Sequence, residues 1–105
     1  MKPAAAPRRP RRRDTEADRL APDDPAIIDS LGWIEYLRGN HEAALKNLRN
    51  AMELMPDPEI AAHLGEVLWV TGNKREAQQV WQRGLQLQPD SPFIFDTIKR
   101  LSARP

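Results

Sequence analysis

From position 27 onward, apolar residues recur three and four apart, in runs separated by Gly, Asn and Pro. One run holds Ile27, Ile28, Leu31, Ile34 and Leu37, and another Ile60, Leu64, Val67, Leu68 and Val70. An α-helix turns once in about 3.6 residues, so this spacing predicts amphipathic helices rather than strands. Asp24 and Asp57 stand before these runs, each followed by Pro. A carboxylate at that place accepts from the free amides of the first turn, and proline has no amide to leave unsatisfied. Gly39 and Gly72 end the runs by entering the left-handed region without steric cost. Asn40 and Asn73 are then expected to cap a second helix in each unit. Glu76, three residues after Asn73, completes a capping box, whereas Ala43 holds that place in the first unit. Pro56 and Pro89 terminate the second helices. Ser91 as cap and Pro92 at the first position predict a fifth helix carrying Phe93, Ile94, Thr97, Ile98 and Leu101, a lid over the preceding pair.

The two units are copies of each other. Laid over 57–89 without gaps, residues 24–56 give ten identities, among them Asp24/Asp57, Leu31/Leu64, Gly32/Gly65, Gly39/Gly72, Ala44/Ala77 and Pro56/Pro89. Roughly two are expected by chance from average composition. Ile34 with Val67, Tyr36 with Trp69 and Leu48 with Trp81 extend the match in side-chain type. A helix pair repeating every 33 residues predicts an all-α array whose units stack into one continuous core. Within each pair, Gly32 and Gly65 let the first helix approach the second. Ala44, Ala51, Ala77 and Gly84 are the small partners at that crossing, with Leu48 or Trp81 filling the wider space beside them.

This pattern resembles the tetratricopeptide repeat, on Leu31, Gly32, Ala44, Leu48, Ala51 and Pro56 in the first unit and Leu64, Gly65, Ala77, Trp81, Gly84 and Pro89 in the second. Glu35 departs from it, standing where a large apolar residue is usual, and Ile28 and Ala61 replace the opening aromatic. The stretch from about residue 20 looks like the C-terminal repeats of longer bacterial tetratricopeptide proteins, some of them envelope-associated. The resemblance implies a short α-solenoid with this organisation: an arm over 1–19; a remnant of a preceding unit plus the first repeat over 20–57; a second repeat over 58–90; and a capping helix and tail over 91–105. Leu20 and Pro22 precede Asp24 as Leu54 and Pro56 precede Asp57.

The function implied by the resemblance is protein binding, not catalysis. In such arrays the first helix of each pair lines a groove that takes a peptide or a partner helix. Helical spacing turns Asp29, Trp33, Tyr36 and Leu37 toward that groove from the first unit, and Ala62, Glu66, Trp69 and Val70 from the second, with Ala26 and Glu59 at its lip. The face is aromatic and acidic, which favours an apolar or basic segment. Packing between units is the competing role for Tyr36, Trp69, Val70 and Trp33. Apolar residues on the front of the first unit, Ile27 and Ile34 among them, offer a surface for self-association or docking.

Charge adds a second feature. Residues 1–13 carry Lys2, Arg8, Arg9, Arg11, Arg12 and Arg13 and no acid, +6, whereas the remaining ten basic residues face all 15 acids, −5. The Pro/Arg-rich arm has no periodic apolar face, and its composition predicts disorder. Its arginines could neutralise phosphates of nucleic acid or an anionic membrane, but it lacks aromatic residues for base stacking, and the acidic body opposes such binding. A third reading is a truncated remnant of a longer repeat protein without independent activity. There is no cysteine, which excludes disulfides, thiolate metal sites and lipidated cysteine. Neither an apolar run of membrane-spanning length nor a secretory signal is present, so a cytoplasmic location is expected from the sequence as written. His41 and His63 stand 22 residues apart without metal-ligand spacing, Ser30, Ser91 and Ser102 have no glycine-flanked elbow, and no glycine forms a phosphate loop. No catalytic residue, metal or cofactor is therefore expected.

Overall fold

A computed structural model describes residues 24–103; the basic arm, the Leu20 and Pro22 tail and the last two residues lie outside the described residues. Every regular element in the described part is a helix. These are α1 (Pro25–Leu37), α2 (His41–Leu54), α3 (Pro58–Val70), α4 (Lys74–Leu87) and α5 (Pro92–Ser102). The close pairs are α1 with α2 and α3 with α4; α3 also lies against α2, and α5 packs chiefly on α3. The all-α repeat array and its closing helix are as the pattern predicts.

Helix starts and ends follow local chemistry. Asp24 Oδ1 accepts from the Ala26 amide at 2.9 Å, and Asp57 Oδ2 from Glu59 and Ile60 at 2.9 and 3.2 Å. Gly39 and Gly72 have φ of 86° and 94°. The Gly39 amide donates to the Tyr36 carbonyl and the Asn40 amide to that of Glu35, and Gly72 and Asn73 repeat this with Trp69 and Leu68. One departure from expectation follows in the side chains. The Asn40 and Asn73 side chains do not cap α2 and α4; they turn back to Glu35 Oε1 at 2.8 Å and Thr71 Oγ1 at 3.4 Å. The capping box of Glu76 does not form either, because the Asn73 amide it needs already closes α3 at 2.8 Å. Glu76 instead accepts from Arg49 of α2 at 2.9 and 3.1 Å. Ser91 holds the N-cap position of α5 without a side-chain cap bond, its hydroxyl buried with no hydrogen-bond partner among the described residues.

The core is one cluster in which Ala44, Leu48, Ala51, Ala61, Val67, Leu68, Ala77 and Ile94 are fully buried. Its tightest points are the glycine crossings. A Cβ on Gly65 would overlap the Trp81 indole; one on Gly84 would strike Ile94 and, at 2.9 Å, the Ala61 methyl; one on Gly32 would meet Leu48 Cγ at 2.9 Å. The glycine inside α4 is thus required by contact with α3 and α5.

One signature residue behaves otherwise. Leu64 and Val67 are 3% and 0% exposed beneath α2, but their counterparts Leu31 and Ile34 are 50% and 45% exposed, because no helix before α1 covers them among the described residues. Gly65→Ala is expected to destabilise the fold by about 1–3 kcal/mol, the usual cost of overpacking. Urea denaturation measures the loss, and a paired Trp81→Leu substitution, which withdraws the indole, should recover part of it.

Candidate functional site

The first helices of the two units, α1 and α3, run side by side with α5 beyond them, and side chains from all three meet on one face. Asp29 and Glu66, expected to give that face its acidity, are buried at 8% and 4% exposure. Each is claimed from a neighbouring helix. The His63 Nδ1–H donates to Asp29 Oδ1 and Oδ2 at 2.9 and 3.1 Å, linking α3 to α1. Arg100 of α5 holds Glu66 with both guanidinium nitrogens, Nη2 to Oε1 at 2.7 Å and Nη1 to Oε2 at 3.2 Å, and the Tyr36 hydroxyl donates to Oε2 at 3.0 Å. A carboxylate this buried is tolerated only with such partners, since desolvation otherwise drives it to the neutral form. Glu66 therefore ties α1, α3 and α5 together. Of the acids expected on that face, Asp29 and Glu66 are thus hydrogen-bonded to His63 and Arg100, and Glu59 is left exposed at the lip.

The aromatic residues meet as well. Trp33 stacks on the His63 ring, centroids 4.4 Å apart and planes 29° apart, and lies 4.9 Å from Tyr36. Tyr36 lies 5.6 Å from His41, and Trp69 is 5.5 Å from Trp81, with Lys74 Nζ 4.8 Å above its ring. Tyr36 and Trp69 are half-buried against the core, Trp33 is half-buried on the face, and Ala62 is buried. Leu37, at 70% exposure, and Val70, at 39%, stand open. The candidate groove residues therefore divide into a packed floor of Asp29, Ala62, Glu66, Tyr36 and Trp69, and an open apolar portion of Trp33, Leu37 and Val70.

Two participants escaped the sequence reading. Nothing in the pattern singles out Arg100, and His63 enters only as a histidine without metal-ligand spacing. Both ties span 34 residues, Asp29 to His63 and Glu66 to Arg100. The 33-residue register pairs Asp29 with Ala62 and passes over that signal. Searching for opposite charges one residue beyond the repeat length would have found both.

Electrostatics follow from the contacts. Burial pulls the His63 pKa down, but the Asp29 hydrogen bond and charge, with Glu59 and Glu66 adding to it, outweigh that and raise it above the ordinary 6.5. The Glu66 hydrogen bond and charge likewise hold the Arg100 proton more firmly than usual. A histidine whose folded pKa is raised contributes stability that is fully present below its unfolded value and lost as pH rises through the folded one. The melting temperature is therefore expected to fall as pH is raised from about 6 to about 8.5, a window around the ordinary histidine value. Thermal melts across that range test this, and His63→Gln should flatten the dependence.

A stretch of 42 residues is 51% identical to a TPR repeat-containing protein of Pseudomonas aeruginosa, covering 40% of this chain and 7% of that protein. The chain thus spans a small part of the curated relative it matches. No protein-family model matches the chain. With the helix pairs repeating every 33 residues, this identity bears out the resemblance to tetratricopeptide-repeat proteins.

Proposed function

We propose that the chain is a non-catalytic protein-interaction module that takes a peptide segment or partner helix along the face of α1 and α3. The observation that carries this reading is the division of that face: its carboxylates are consumed in ties between helices, while Leu37 and Val70 remain exposed and Trp33 half-buried beside them. Half-buried aromatic and exposed aliphatic side chains on a rigid helical face are the usual anchors of protein interfaces. With Asp29 and Glu66 engaged by His63 and Arg100, apolar contact rather than basic charge selects the partner. The paired helices hold the face in shape before binding, which lowers the ordering cost of association.

Selection of a displayed random-peptide library on the immobilised chain tests the reading. The retained peptides should be rich in aliphatic and aromatic residues. Leu37→Asp, at an exposed position, should weaken them about tenfold or more, the scale of an interface anchor, with the melting temperature unchanged. Retention of acidic or arginine-rich peptides indifferent to Leu37→Asp would contradict it.

A further inference from the structure

A second surface adjoins the groove at Trp69, between α4 and α5. α5 rests mainly on α3, and beyond its first turns a cleft of about 370 Å³ opens between it and α4. The indoles of Trp69 and Trp81, with Leu85 and Ile98, give the cleft its apolar lining. Gln78, Gln82 and Ser102 complete the lining with uncharged polar groups. The volume lies within the usual range of about 300–1,000 Å³ for sites that take a small group.

The repeat itself says what belongs there. α3 and α5 begin alike, Asp57-Pro58 and Ser91-Pro92, and in that register Ile94 stands for Ile60, Leu101 for Val67, Ile98 for Leu64 and Ser102 for Leu68. The first two α5 residues are as buried as their counterparts. The other two are not: Leu64 and Leu68 are buried, whereas Ile98 is half-buried and Ser102 exposed, since no helix follows α5 among the described residues. The cleft is therefore the place of aliphatic side chains that one unit earlier complete the core. The charge pattern agrees. At the previous junction Arg49 pairs with Glu76 across α2 and α4, but the residue in the place of Arg49 is Gln82, so nothing on this wall calls for a charged group.

We infer that the cleft between α4 and α5 is an anchor site for an aliphatic side chain of a partner protein segment, one that takes up the leucine place that Ser102 leaves empty. The inference rests on the reading of the chain as an interaction module and adds a second point of attachment to it. Trp69 belongs both to the groove floor and to the cleft, so a segment lying along α3 runs directly into the anchor site.

Indole N–H signals of Trp69 and Trp81 in proton–nitrogen NMR report on the site, with Trp69→Phe and Trp33→Phe supplying the assignment of the three indoles. N-acetyl-leucine methylamide, titrated to millimolar concentration, should shift them saturably. Ser102→Leu should fill the cleft from within, raise the melting temperature and weaken the shifts about tenfold or more, equivalent to at least 1.4 kcal/mol, while Ser102→Ala leaves them intact. Leu37→Asp should not alter them, so failure of the groove reading and failure of this one are separable. Absence of shifts, equal shifts in Ser102→Leu, or tighter binding of N-acetyl-tryptophan methylamide or N-acetyl-glutamate methylamide than of the leucine probe would overturn the assignment.

Discussion

The buried carboxylate of Glu66 is the constraint around which the functional face is arranged. At 4% exposure its oxygens are hydrogen-bonded by Arg100 and Tyr36 from the helices on either side. Those bonds fix more than a local pair. They set α5 against α3 rather than along α4, hold Tyr36 down as floor, and take the negative charge out of the groove. The same placement of α5 leaves the cleft between it and α4 open. One ionic contact thus decides the shape of the groove, its electrostatic character and the position of the second surface.

Beneath that arrangement lies a steric requirement. The helices of a pair cross so closely that Gly32, Gly65 and Gly84 have no room for a methyl group, and the bulk is supplied from the other side by Leu48, Trp81 and Ile94. Close crossing maximises dispersion contact along α2 and α4, whose remaining surface is mostly polar. The Asp29–His63 tie and the Trp33 stack then join the two pairs across the face, so that the units cohere through polar contacts on the groove side and through aliphatic contacts on the other.

Helix pairs, their ends and the glycine crossings were legible in the sequence because each depends on residues close together in the chain or repeated at fixed distance. Asp57 before Pro58, Gly72 at positive φ and Gly84 against Ala61 needed no knowledge of the fold. Three things were not legible, each for a physical reason. Glu76 looked like a capping-box partner because sequence cannot show that the Asn73 backbone amide is already bound to Leu68. Leu31 looked like core because burial depends on what covers a residue, not on its type. Asp29 and Glu66 looked like an acidic groove because their cations, His63 and Arg100, arrive from helices one unit away and one residue out of register.

The most direct test of this account is a double-mutant cycle on Glu66→Gln and Arg100→Ala, followed by urea denaturation. The account predicts coupling of about 1 kcal/mol or more between the two positions, the range for residues sharing one buried polar network. Because the guanidinium is half exposed, the figure should fall below that of a fully buried pair. Strictly additive losses, or Arg100→Ala with no effect on stability, would contradict it and leave α5 held by apolar packing alone.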